Sequence, residues 1–500
     1  MLRTSSYTIY VDLPGHNDEM LLVHGYTGAY DRVSRRVATY LRSQELRRPP
    51  KPLYGDWSPE PEIDGQVAVP SDETLEVLKR RGYLTTLTRE AEEAKLARIA
   101  LKLHERSRRQ APSYIIMPTY DCNLRCSYCF QDHMRTDPRF QHLLRRIELP
   151  LADRILAAMP QIEALHGLSG DTRRHRNIGF FGGEPLLEIC RPIVDRFIEG
   201  ALAMGPASFW AVTNGTDLHA YHDLLSPTLL SGLQITIDGP PEEHDRRRIY
   251  ADGSGTYERI ARHIDIALEQ GVKVSIRLNL DRNNIKDLPA LAQDFVARGW
   301  DRHPGFSTYT AAIRAENEKT DRKTTFSTWE LDCGLLELRE SHPELAVIGR
   351  PDESIKFGAR RVMGQSARKM PEFRESFCSA HNKMYIFDAF ADIYACWERT
   401  GDARTRIGQI LDDGSVKINT GVSDFWRSRT VASNPACRQC RYALHCGGGC
   451  AVLAVGKTGQ YHANYCDGFA SRFRANVAEA YLDHVTGEEL GYKGGRLCDQ

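Results

Sequence analysis

Asp121-Cys122-Asn123-Leu124-Arg125-Cys126-Ser127-Tyr128-Cys129-Phe130 follows directly on the apolar run Ser113-Tyr-Ile-Ile-Met-Pro-Thr119. A short β-branched and aromatic run bounded by turn residues predicts a buried strand, so three cysteines stand on the loop leaving its C-terminal end. Similar runs recur at Asn177–Phe181, Phe209–Thr213, Leu233–Asp238, Lys273–Leu280 and Gly305–Thr310, with helical patterns such as 151–165 and 256–271 between them. Strand alternating with helix predicts a parallel sheet, and six such strands predict an α/β fold with a complete or partial (β/α)6 barrel, whose chemistry sits at the C-terminal strand ends.

Three thiolates on so short a loop can each hold one iron of a four-iron cube, leaving the fourth iron open for chemistry. A zinc site is the alternative, but structural zinc takes four closed ligands and no fourth is adjacent. The chain has 13 cysteines, seven of them between Cys378 and Cys466, while Cys190, Cys333 and Cys498 stand alone. In a reducing cytosol such thiols favour metals over disulfides, so two metal regions are expected, with Cys190 a packed core thiol.

Gly182-Gly183-Glu184-Pro185 ends the second strand. Paired glycines permit close approach of backbone to a ligand, and a carboxylate suits an ammonium group; an ordinary tight turn is the bland alternative. Asn214 follows the third strand, and Thr236 and Asp238 end the fourth, where polar side chains either contact ligand or cap the next helix. Arg277 and Asn279 alternate with apolar residues on the fifth strand and are expected to face the barrel interior. A buried Arg needs an anion, either a cofactor carboxylate or a structural Asp or Glu. His244-Asp245-Arg246-Arg247-Arg248 follows strand four, its middle arginines readable as a solvated loop.

With Tyr128 before the last cysteine, the loop resembles that of the radical SAM superfamily over about Ser113 to Thr310. The resemblance implies that the open iron chelates S-adenosylmethionine, whose cleavage yields a 5′-deoxyadenosyl radical. It implies that Cys122, Cys126 and Cys129 are the catalytic cluster ligands, that Gly182, Gly183, Glu184 and Pro185 bind the methionyl amine, and that Tyr128 belongs to the cofactor site. His244 to Arg248 matches an HDxxR pattern of peptide-modifying members. The order Cys378, Cys396, Cys437, Cys440, Cys446, Cys450, Cys466 resembles the SPASM domain of peptide maturases. By that resemblance Cys378, Cys396 and Cys450 hold one auxiliary 4Fe-4S cluster, and Cys437, Cys440, Cys446 and Cys466 a second, making three with the radical cluster. Residues 370–377 lack the extra cysteine of some members, which implies an open auxiliary iron unless Cys333 or a carboxylate closes it. Ala391 replaces a family glycine, and Trp397 replaces the catalytic Asp of anaerobic sulfatase maturases, which disfavours formylglycine formation.

Upstream, residues 7–33 predict a hairpin about Gly15–Asp18, Ser34 a helix start, 47–65 a Pro-rich linker, Ser71 a second N-cap and 88–109 a long helix. The N-terminal part is a small α+β module with a weak winged-helix-like resemblance to leader-peptide recognition elements. Expected domains are 1–110, the barrel at 111–331 and the SPASM region at 332–500.

Lys plus Arg number 66 against 66 for Asp plus Glu, so no basic field points to nucleic acid. No apolar run has signal or spanning length, so a cytoplasmic protein without a membrane partner is expected. The resemblance implies a maturase that crosslinks a ribosomally made precursor peptide through thioether or carbon-carbon bonds, reduced by a donor such as a flavodoxin or ferredoxin. A radical SAM dehydrogenase of a small molecule or protein side chain, and an iron-sulfur scaffold that binds peptide without turnover, are the rivals.

Overall fold

The computed structural model describes residues 2–46, 67–168, 174–315, 320–363 and 371–486. The expected linker at 47–65 and Cys498 lie outside them. The chain divides into two compact units, one of Ser107–Pro351 with Ser379–Arg427, the other of Met1–Arg106, Asp352–Cys378 and Ser428–Gln500.

The first unit is built on a ten-stranded sheet. Ser113–Ile116, Arg176–Phe180, Ala207–Thr213, Leu230–Thr236, Lys273–Leu280 and Phe306–Ala312 lie side by side in chain order, all parallel, so the barrel is partial and open. These are the six expected strands, shifted at their ends by a few residues. Helix Leu149–Leu165 buries Leu151, Ile155, Met159 and Ile162 at helical spacing, which gives it the core-facing stripe a crossover helix needs. Helix Tyr257–Glu269 does the same with Ile260, Ile264, Ala267 and Leu268.

Met384–Phe387 pairs in parallel with the first barrel strand, and Asp392–Tyr394, Arg406–Ile410 and Val416–Ile418 continue the sheet antiparallel. This corrects the expected division at 331/332, which falls inside helix Thr328–Ser341. Backbone pairing to Ser113–Ile116 carries residues 379–427 into the barrel unit, and pairing across so many residues leaves no local trace. Ala391, in the turn between the first two added strands, takes a left-handed φ of 62°. That conformation is unfavourable for any residue with a Cβ and explains why glycine suits the position.

In the second unit, Thr8–Asp12, Glu19–His24 and Tyr30–Ser34 form an antiparallel sheet. The expected hairpin is present, but the run after it splits into two strands at Gly25–Ala29. A turn closed by Gly28 N donating to the His24 carbonyl, with Gly28 at a φ of 74°, makes the break, and a Cβ on Gly25 would lie 2.1 Å from the Arg441 carbonyl oxygen. Alternation sends Ile9, Val11, Leu21 and Val23 to one face, with Phe473 and Val477 of helix Phe469–Thr486. Tyr10, Met20 and Leu22 go to the other, with Ala38, Leu41 and Leu78. Ser34 and Ser71 cap helices Arg35–Ser43 and Asp72–Arg81 as expected. Glu92, on helix Arg89–Arg108, is fully buried and accepts from Arg3, Ser5, the Ser6 amide and Tyr26, which ties the N-terminal strand to that helix.

Candidate active site

The loop 121–130 leaves the first barrel strand and is held from several sides. Cys122 N donates to Asp121 Oδ1 at 2.8 Å, Arg125 N donates to the Ile249 carbonyl at 2.8 Å, and Asn123 Nδ2 donates to Thr216 Oγ1 at 2.8 Å. The sulfurs are met by N–H groups: Leu124 N at 3.4 Å and Asn214 Nδ2 at 3.7 Å from Cys122 Sγ, and Arg135 Nη2 at 3.2 Å from Cys129 Sγ. Burial pushes the Cys122 thiol up to about 12 and the Cys126 thiol to about 11, so metal binding would displace protons here. None of the three is in a disulfide.

Among the described residues no three His, Cys, Asp or Glu side chains are arranged to hold a single metal ion. A four-iron cube places each thiolate on a different iron, and N–H donors aimed at sulfur belong to the chemistry of such a group. The donor set therefore fits a cluster.

Gly182 and Gly183 adjoin the cysteine loop for a reason the sequence did not indicate. Added Cβ atoms would lie 2.5 Å from the Thr119 carbonyl oxygen at Gly182, and 2.1 and 2.3 Å from those of Asp121 and Tyr120 at Gly183. The glycines thus let the second strand end pack on the base of the loop. Glu184 is buried and accepts from Thr213 Oγ1 at 2.6 Å, Asn214 N at 2.6 Å and Leu186 N at 2.9 Å. Burial raises its carboxyl to about 7 against those three hydrogen bonds. Three of its roughly four acceptor positions are filled by the protein, leaving room for a further donor. Pro185 is buried beside it.

A second network gathers around Tyr128. Its hydroxyl donates to Asp238 and accepts from Arg248 Nη1 at 2.8 Å and Asn279 Nδ2 at 3.2 Å. Asp238 also accepts from Asn279 N at 3.0 Å, and burial raises its carboxyl above the ordinary range. Arg277 Nε donates to Asn279 Oδ1 at 2.8 Å, its guanidinium lies 5.9 Å from the Tyr309 ring centre, and it stands in register with Thr236 and Tyr309. Among the described residues no carboxylate forms an ion pair with Arg277, so its structural alternative has no partner there. The expected residues Tyr128, Thr236, Asp238, Arg277 and Asn279 are thus brought together, while Asn214 bonds Cys122, Asn123 and Glu184.

The HDxxR segment ends helix Pro241–Arg247, with Arg248 as its C-cap. Arg246 is exposed, but Arg247 is buried between Glu243 and Asp281, correcting its reading as a solvated side chain. Asp245 accepts from the amides of Thr256 and Tyr257 at the start of the next helix. Thr213, which ends the third strand, bonds Glu184; Arg135 was not expected at the site, and the only sequence signal was an arginine six positions beyond Cys129.

In the second unit, burial raises the Cys437 thiol, with Cys440, Cys446 and Cys466 as electrostatic neighbours adding to the rise. Arg429 is buried, donates to the carbonyls of Tyr461, Gly448 and Ala463, and has Cys437, Cys450, Cys378 and Cys446 around its charge. Cys396 belongs to the barrel unit, packed against the Ile115, Met117 and Ile386 core. Cys333 lies on helix Thr328–Ser341 of the barrel unit. Cys190 is fully buried, as expected. Among the described residues no helix is long and apolar enough to cross a membrane.

Residues 116–295 match the family model described as the radical SAM superfamily. GTP 3′,8-cyclase 1 of Pseudomonas aeruginosa is 30% identical over 185 residues, covering 36% of this chain and 49% of the cyclase, about half its length. A cysteine-type anaerobic sulfatase-maturating enzyme of Clostridium novyi is 20% identical over 389 residues, covering 73% of this chain and 96% of that enzyme. The solved structure of native anSMEcpe with bound AdoMet and Cp18Cys peptide is similar in fold, with a TM-score of 0.52 at 16% identity over 75% of this chain and 99% of that one.

Proposed function

We propose, for a chain whose barrel is a radical SAM domain and which is an enzyme of that superfamily, that it is a SPASM-type maturase installing a crosslink in a ribosomally made peptide. The observation that carries this proposal is the cysteine loop held at the C-terminal end of the first strand against the glycine-glutamate end of the second, inside the matched segment 116–295. The relatives support it by name, one being a sulfatase-maturating enzyme and the other a structure holding AdoMet and a peptide. The resemblance puts Trp397, which packs against Phe181 with ring centres 5.6 Å apart, where sulfatase maturases carry a catalytic Asp; an indole cannot serve as that base, which favours crosslinking over formylglycine formation.

When bound, the cluster and S-adenosylmethionine supply the 5′-deoxyadenosyl radical that abstracts hydrogen from the peptide. Cys122, Cys126 and Cys129 would hold the cluster, Glu184 the cofactor ammonium and Arg277 its carboxylate. Tyr128, Asn214, Thr236, Asp238 and Asn279 would line the cofactor. Auxiliary clusters, among them one held by Cys437, Cys440, Cys446 and Cys466, would supply a means of accepting or relaying the electron released by crosslinking. A flavodoxin or ferredoxin would supply the reducing electron.

The test is anaerobic reconstitution followed by iron analysis and turnover with a peptide encoded by a neighbouring reading frame. About twelve irons per chain are expected, with 5′-deoxyadenosine formed from S-adenosylmethionine and a peptide product two hydrogens lighter. About four irons would sink the auxiliary clusters, and deoxyadenosine without any peptide change would sink the substrate assignment.

Glu184→Gln keeps size and loses charge, so it should weaken S-adenosylmethionine binding by about 1.5–3 kcal/mol, the worth of a charged hydrogen bond, with cluster content intact. In the native chain, Glu184 titrates near 7, and its ionised form is the one that pairs with an ammonium. Affinity should therefore rise with pH by up to about tenfold per unit below that value, and fall again as the cofactor's α-amino group loses its proton near about 8. The stability contribution has the opposite sign: a raised carboxyl favours folding below its ordinary range and loses that contribution as pH rises through about 7. Binding calorimetry from pH 5.5 to 8.5 (a range spanning roughly 1.5 units either side) checks this. Unchanged affinity in both Glu184→Gln and Arg277→Lys would leave these groups purely structural.

A further inference from the structure

Arg135 lies on the single-turn helix Asp132–Thr136 that directly follows the cysteine loop. It is 9% exposed. Its Nη2 donates to Cys129 Sγ at 3.2 Å, its Nη1 reaches the Tyr120 carbonyl at 3.4 Å, and its Nε is buried without a hydrogen-bond partner. Among the described residues no carboxylate forms an ion pair with it. A buried guanidinium is costly unless an anion compensates it, and the groups best placed to do so are the sulfurs of Cys129 and Cys122, with Asp132 a weaker electrostatic neighbour.

Arg248, the arginine beside Cys126, differs. It shares the Tyr128 hydroxyl with Asp238, so a carboxylate balances its charge through one bridging group.

Resting on the cluster assignment above, we propose that Arg135 is a positioning residue that sets the reduction potential of the cluster held by Cys122, Cys126 and Cys129. Its N–H group on Cys129 and its charge beside Cys122 favour the reduced cluster, which carries one more negative charge than the oxidised one; hydrogen bonds to sulfur and local charge are established determinants of such potentials. The step concerned is transfer of one electron from a low-potential donor. No bond forms or breaks, and Arg135 stays protonated throughout.

The test is a dithionite titration of the reconstituted full chain, followed by electron paramagnetic resonance, for the native protein, Arg135→Gln and Arg135→Lys. The relevant signal is the one that shifts on adding S-adenosylmethionine. In Arg135→Gln the reduced-to-oxidised ratio at fixed potential should fall about tenfold or more, about 59 mV for a one-electron couple. Arg135→Lys, which keeps the charge, should stay within about threefold. An Arg135→Gln signal that titrates with the native one overturns the proposal, as does a tenfold fall in Arg135→Lys. Loss of this cluster from both variants, with auxiliary iron and thermal melt unchanged, also overturns it and makes Arg135 a brace for the loop. A native protein with no signal responsive to S-adenosylmethionine overturns the cluster assignment itself, and this inference with it.

Discussion

Replacing Cys122, Cys126 and Cys129 together by alanine is expected to abolish S-adenosylmethionine cleavage and remove about a third of the bound iron. The loss should be complete because the radical chemistry depends on the single cluster this loop can hold, and because no neighbouring thiol can substitute. Cys190, beyond the second strand, is fully buried at the N-cap of helix Arg191–Met204. The remaining iron should persist because Cys437, Cys440, Cys446 and Cys466 neighbour one another in the other unit. The fold should survive as well, since the loop keeps its bonds to Ile249, Thr216 and Asp121. Iron and sulfide analysis with chromatographic assay of 5′-deoxyadenosine checks both halves. Cleavage persisting in the triple variant would refute the assignment of the catalytic cluster.

Arg247→Met is expected to destabilise the barrel unit by about 3–5 kcal/mol, the usual cost of removing one partner from a buried ion pair. Arg247 donates to Glu243 and through both terminal nitrogens to Asp281, at 3.1 and 2.9 Å, with all three side chains about nine-tenths buried. Methionine fills much of the volume but leaves Asp281 without its cation and Glu243 with only the exposed Arg246. Arg246→Met supplies the control: its side chain is 67% exposed, and a change within about 0.5 kcal/mol is expected. Urea unfolding followed by circular dichroism measures both. If Arg247→Met costs less than about 1 kcal/mol, well under the range for a broken buried pair, the triad does not hold the helix to the fifth strand.

What the sequence by itself determined is what short-range physics encodes. The six barrel strands are visible because β-branched and aromatic runs end in turn residues, and helix Arg35–Ser43 because Ser34 caps it. The cysteine loop is visible because a spacing of three and two residues between thiols has few uses besides iron. The polar face of the fifth strand follows from its period of two, which puts Arg277 and Asn279 on the same side, close enough to share a hydrogen bond.

Only the tertiary structure decided how those pieces meet. Gly182 and Gly183 serve close packing on the 119–121 backbone rather than ligand approach alone, which depends on two strand ends converging. Residues 379–427 belong with the barrel because a strand at 384–387 pairs with one more than 260 positions earlier. Arg135 reaches Cys129, and Arg247 lies buried beside an exposed Arg246, because the fold decides which charges lose their water. Desolvation depends on everything packed around a group in space, and neither composition nor local spacing carries that information.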